Sequence, residues 1–191
     1  MSRVVRVAAC AYPVEAIGSM ARWRAKLDDL VGRVAAESNP TIAILPEYAS
    51  MELTSALPET GDLAAQLVAI QALVPDFHAA CSAAARDHGV WLVAPSFPEA
   101  IAPGTYRNRA RVYSPATGYA VVVEKRTMTR FENEHWGISS GTAQVVIATR
   151  WGRLGVALCY DAEFPVIVRR LAARGADVIA VPSCTDTIAG Y

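Results

Sequence analysis

The tightest constraint in this chain is a set of short apolar runs, each too brief for a buried helix, alternating with longer stretches of helical spacing. The runs are "VVRVAAC" (4–10), "TIAILPE" (41–47), "VWLVAPSF" (90–97), "RLGVALC" (153–159) and "ADVIAVPS" (176–183). Bounded by proline, glycine and polar residues, they read as strands covered on both faces. Between them, residues 21–38 repeat Trp23, Leu27, Leu30 and Val34 at helical spacing. Residues 62–72 and 76–88 read as two more helical stretches separated by Pro75, and 163–175 as a helix with Pro165 in its first turn and Gly175 beyond its end.

The pattern changes near Gly104. "RNRARVYS" (107–114) and "YAVVVEK" (119–125) flank "PATG" (115–118), which predicts an antiparallel hairpin. A second β pair is expected from "AQVVIAT" (143–149), the turn "RWG" and "RLGVALC". The stretch from Arg126 to Gly141 is polar, too long for a simple link, and of a length that is often functional when it lacks regular structure. Parallel and hairpin pairing with intervening helices predicts an α/β domain, mixed sheets with helices packed outside. With 191 residues and no internal repeat or low-complexity linker, one domain over 1–191 is the expectation.

Composition removes several classes of function. Lysine plus arginine and aspartate plus glutamate each number 18, so no net field favours nucleic acid or an acidic membrane. A small-molecule substrate is expected, with no nucleic acid and no membrane as partner. The first twenty residues carry an arginine inside their apolar stretch and lack a secretory core, which predicts a cytoplasmic protein. Cys10, Cys81, Cys159 and Cys184 show no CxxC pair and no ligand spacing with histidine, so neither a disulfide framework nor a metal site is expected.

Three strand ends carry chemistry. Glu47 follows Pro46, Lys125 closes the hairpin, and Cys159 ends an apolar run before "YDAEFP". Singly these residues read as a surface carboxylate, a solvated lysine and a packing thiol. Together a carboxylate base, a fixed ammonium and a thiol suit acyl transfer through a thioester.

"ILPEYAS", "YRNRARVYSPATGYAVVVEKRTMT", "FENEHWGISSG" and "GVALCYDAEFP" resemble, in order, the successive motifs of the nitrilase or carbon-nitrogen hydrolase superfamily. The resemblance implies an αββα sandwich and a Glu-Lys-Cys triad carried by Glu47, Lys125 and Cys159. It also implies a second glutamate, matched best by Glu132 with Glu134 as the alternative, and an oxyanion donor at the Tyr160 backbone N–H. The implied chemistry cleaves a small amide without metal or organic cofactor. "Cys-Tyr-Asp" resembles the amidase-like branch; a nitrilase, an N-acyltransferase or a truncated, non-catalytic domain are the alternatives. Members usually run beyond this length, so the expectation includes a sandwich incomplete at its C-terminus and a homo-oligomer.

Tyr48, Trp136, Phe164 and Cys184 are candidate pocket residues. Asp161 and Glu163 read as caps of the following helix or as substrate contacts. His135 offers a Cys/His pairing that the glutamate and lysine make redundant, and His78 and His88 read as structural or exposed.

Overall fold

A computed structural model describes residues 4–38, 41–59, 62–142 and 144–185. Strand β1 (Val7–Ala9), helix α1 (Met20–Ser38), strand β2 (Ile42–Ile44), helices α2 (Leu63–Ile70) and α3 (Val74–Asp87), and strand β3 (Trp91–Val93) open the chain. They are followed by β4 (Phe97–Ala102), β5 (Thr105–Tyr113), β6 (Ala120–Glu124) and the short helix α4 (Arg130–Glu134). Then come β7 (Val146–Thr149), β8 (Gly152–Val156), α5 (Pro165–Ala173) and β9 (Val178–Ala180). Ala143, the first residue of the run expected to form β7, lies outside the described residues.

The first sheet pairs β1, β2 and β3 in parallel, then β3 and β4 antiparallel to β5, with β6 on the far edge of β5. The second sheet joins the β7–β8 hairpin to β9, parallel to β8. Strand periodicity divides the side chains between two layers of core. Ile42, Val93, Ala110, Val112 and Val123 of the first sheet pack on Ile147, Leu154, Val156 and Ala180 of the second. Ala43, Leu45, Leu92 and Ala94 face the other way, onto Trp23, Leu27 and Val31 of α1 and Phe77, Ala80 and Ala84 of α3. On the outer face of the second sheet, α5 comes so close that a Cβ on Gly155 would meet Leu171 at 3.4 Å. The layers therefore run helix, sheet, sheet, helix, as expected.

Four differences from the sequence reading have physical causes. The expected single strand 90–97 is broken: β3 stops at Val93, and β4 continues along the same edge of β5 and turns back at Gly104 (φ 70°). Pro98 and Glu99 disguise β4, yet proline fits an edge strand, and buried Glu99 is held by Arg111 and by His78 at 3.0 Å. Pro75 lies in the first turn of α3, where its missing N–H costs nothing, so it does not separate α2 from α3; a 3₁₀ turn, Gln71–Leu73, joins them. The 126–141 stretch contains α4, and α5 begins at Pro165 after a separate 3₁₀ turn, Cys159–Glu163. By length and composition Leu63–Asp87 would suffice to cross a bilayer, but its Phe77, Ala80 and Cys81 are buried in the core.

Candidate active site

Each strand end is bent away from its sheet by a device that sets one side chain. Glu47 follows β2, and the next residue, Tyr48, takes a left-handed conformation (φ 55°). Its N–H donates to Ser96 Oγ at 3.1 Å, while Ser50 Oγ donates to Ser96 O at 2.6 Å. The break between β3 and β4 thus supplies the clamp for the Glu47 turn. Lys125 extends β6 by one residue, donating its N–H to Asn108 O at 3.0 Å. Strand alternation sends Glu124 to Arg107 and Arg109 on one face and Lys125 inward on the other. Gly141 then donates to Lys125 O at 2.7 Å, an approach only glycine permits, because a Cβ there would stand 2.4 Å from Glu124 Cβ.

Cys159 is the second non-glycine residue with positive φ among the described residues, at 46°. Its N–H donates to Pro182 O at 2.9 Å and the Asp161 N–H to Leu158 O at 3.0 Å. Tyr160 N–H lies between them at the head of the 3₁₀ turn, where the turn itself supplies no acceptor. Left-handed backbone at a non-glycine residue costs on the order of 1–3 kcal/mol and persists only where the surroundings enforce it. Here the enforcing group is Asp161, buried, whose carboxylate accepts Arg126 N–H at 2.9 Å and Thr127 N–H at 2.7 Å. The cysteine turn is thereby tied to the segment that follows Lys125. Asp161 neither caps α5 nor faces the cavity, contrary to both expectations; Glu163 is exposed.

These devices bring four side chains to one buried centre. Lys125 Nζ lies 2.9 Å from Glu47 Oε1 and 2.7 Å from Glu132 Oε2, with Lys125 only 1% exposed. Asn108 Nδ2 donates to both carboxylates, at 2.8 Å to Glu47 and 3.2 Å to Glu132. Tyr48 OH donates to Glu132 Oε1 at 2.7 Å. Thr129 N–H and hydroxyl donate to Glu132 Oε2 at 2.9 Å, and Glu132 N–H donates back to Thr129 Oγ1, a capping box at the start of α4. The Cys159 thiol lies within the electrostatic reach of Glu47, and Sγ lies 3.7 Å from Cys184 O.

The electrostatics separate the two glutamates. Burial pushes the Glu47 carboxyl above its ordinary range, despite Lys125. Burial acts in the same direction on Glu132, but Lys125, the Thr129 N–H and Tyr48 outweigh it and hold that carboxyl low. Burial would lower Lys125; the two carboxylates outweigh it and keep the ammonium charged. Burial and the Glu47 charge both push the Cys159 thiol up, so the sulfur rests protonated beside a carboxylate whose proton affinity is also raised.

A cleft of about 860 Å³ opens onto this centre. Glu47, Lys125, Glu132 and Cys159 line it together with Tyr48, Trp136, Phe131 and Cys184. Tyr48 meets Trp136 edge to face with centroids 5.0 Å apart. Glu134 lies outside, paired with Arg130 on the surface. His135 is exposed against Phe131 and Phe164 packs on Tyr160; neither lines the cleft. His88 contacts Asp28 at 2.7 Å and His78 joins the Glu99 network.

The sequence model of the family described as carbon-nitrogen hydrolase matches residues 6–189. The chain belongs to the carbon-nitrogen hydrolase family. A probable hydrolase of Bacillus subtilis, YhcX, is 30% identical over 189 residues, which is 98% of this chain and 36% of the Bacillus protein. This chain spans less than half the length of that relative. An amidase of Nesterenkonia sp. AN1, solved with acrylamide added at its active-site cysteine, superposes with a TM-score of 0.74 at 22% identity, over 97% of this chain and 69% of the amidase chain. The carbon-nitrogen hydrolase of Helicobacter pylori G27 gives a TM-score of 0.76 at 21% identity, over 94% and 59%. These likenesses show the family fold.

Within that family fold, the sequence reading missed Asn108 and the role of Asp161. Asn108 is buried between two arginines in an alternating strand, and the only signal was a lone amide at a core-facing position. Asp161 was visible as an acidic residue beside the thiol, but its partners are two backbone N–H groups 34 and 35 residues away.

Proposed function

We propose that this domain hydrolyses the C–N bond of a small amide through a thioester on Cys159. One observation carries the reading: a single ammonium held between two buried carboxylates, on the wall of a cleft that also holds the thiol. Glu47 takes the thiol proton as Sγ attacks the carbonyl carbon. Its raised proton affinity suits a base that must then return that proton.

The negative charge on the carbonyl oxygen is received by Lys125 Nζ and the Tyr160 N–H. Such a donor contributes about 3 kcal/mol to the transition state. Collapse breaks the C–N bond, and Glu47 protonates the leaving nitrogen, so ammonia or an amine departs and the acyl group stays on sulfur. Water, deprotonated by the same carboxylate, hydrolyses the thioester and returns the thiol. Glu132 fixes Lys125 and does not transfer protons, because its carboxyl is held low and five donor groups occupy it.

The test is ammonia release from a panel of small amides, with nitriles and acceptor amines in parallel. Ammonia from amides, lost in Cys159→Ala, is expected. Turnover of amides by Cys159→Ala, or turnover confined to nitriles, would overturn the reading.

A further inference from the structure

The pairing of β8 with β9 continues past the ends of both strands. Leu154, Gly155 and Val156 lie beside Val178, Ile179 and Ala180. Ala157 N–H then donates to Ala180 O at 3.0 Å and Cys159 N–H to Pro182 O at 2.9 Å. That ladder places Ser183 beside Cys159 and Cys184 one residue further along. Cys159 takes φ 46° and Cys184 lies past the end of β9, so strand alternation does not hold the two side chains on opposite faces. The sulfur of Cys159 is already 3.7 Å from the Cys184 carbonyl oxygen, and both residues line the cleft. Cys159 is buried, whereas Cys184 is exposed.

We infer that Cys159 and Cys184 form a reversible thiol-oxidation site, closed to a disulfide by hydrogen peroxide or an organic hydroperoxide. Glu47 accepts the Cys159 proton as the sulfur attacks the peroxide oxygen. The O–O bond breaks, sulfur loses two electrons to the peroxide, and a sulfenic acid forms; the departing hydroxide or alkoxide takes the proton back from Glu47. Cys184 then attacks the sulfenic sulfur, the S–O bond breaks, and its proton leaves with that oxygen as water. Two equivalents of a small thiol reverse the step by exchange and leave as their own disulfide. The pair shields Cys159 from the irreversible oxides, because a resolving thiol one residue off the ladder is reached before a second peroxide. This goes beyond the hydrolytic reading and does not rest on it, since the cross-link needs only the two thiols, a base and the peroxide.

The experiment is peptide mapping by mass spectrometry of the wild-type chain and Cys184→Ser after a peroxide pulse, with and without subsequent dithiothreitol. In the wild type a Cys159–Cys184 cross-linked peptide is expected, lost on reduction. In Cys184→Ser the cross-link is absent and Cys159 accumulates two or three oxygens that dithiothreitol does not remove. Equal accumulation of those oxides in both proteins, an unmodified Cys159, or a cross-link from Cys159 to Cys10 or Cys81 overturns the inference.

Discussion

Replacing Lys125 with methionine removes the one positive charge between two buried carboxylates while roughly keeping volume. The Glu47 and Glu132 oxygens that shared Nζ lie 2.9 and 2.7 Å from it, so they stand less than about 6 Å apart. Without Nζ their existing repulsion is left unopposed, and at that separation and an effective dielectric of about 20 it amounts to about 3 kcal/mol. This corresponds to roughly two pKa units on whichever group yields. Glu47 is the one, because its carboxyl is already pushed up by burial while Glu132 retains Thr129 and Tyr48 as donors.

A carboxyl whose folded pKa exceeds its unfolded value binds more protons when folded. Its neutral form therefore supports the fold at low pH, and stability falls as pH rises from the unfolded value through the folded one. Lys125→Met should accordingly lose more at about pH 8 than at about pH 5, with the two losses differing by about 3 kcal/mol and the larger in the range of about 3–5 kcal/mol. Urea unfolding followed by circular dichroism at both pH values measures it. A loss that is the same at both pH values, or greater at the lower one, refutes the reasoning, for it would mean that the ammonium is not the counter-charge of this pair.

Asn108→Leu removes a donor from both carboxylates and should cost about 1.5–3 kcal/mol of stability, read by chemical denaturation. Because the donor favours the charged form of Glu47, its loss raises that carboxyl further, and the acidic limb of the pH–rate profile should move to higher pH. At Cys159, with φ of 46°, glycine should give a more stable protein than alanine by roughly 1–2 kcal/mol, seen as a higher Tm of Cys159→Gly. A higher Tm for the alanine variant would remove the strain from the account of this turn. Glu134→Gln should leave stability within about 0.5 kcal/mol, since its Arg130 pair is solvated. Glu132→Gln should lower both stability and amide turnover, because it strips Lys125 of one of its two carboxylates.

The apolar periodicities located most strands and every long helix, because burial on both faces of a sheet or one face of a helix writes itself into short stretches of sequence. β4 was lost because its Pro98 and Glu99 obey rules of edge position and distant ion pairing that a local window does not contain. The short helix α4 was lost for a related reason: it is five residues long, and its capping box is committed to the lysine as much as to the backbone.

What the chain alone determined was which chemical groups stand at strand ends: Glu47, Lys125 and Cys159 each close an apolar run, and covalent order fixes that. Tertiary structure decided how they meet. Glu132 rather than Glu134 enters the centre because a capping box turns one inward and leaves the other on the surface with Arg130. Asn108 and Asp161 acquire roles only where β5 faces the β2 turn and where the loop after β6 crosses the cysteine turn. Hydrogen bonds and charge pairs act over about 3 Å in space whatever the separation along the polymer, so the periodic signal of burial does not encode them.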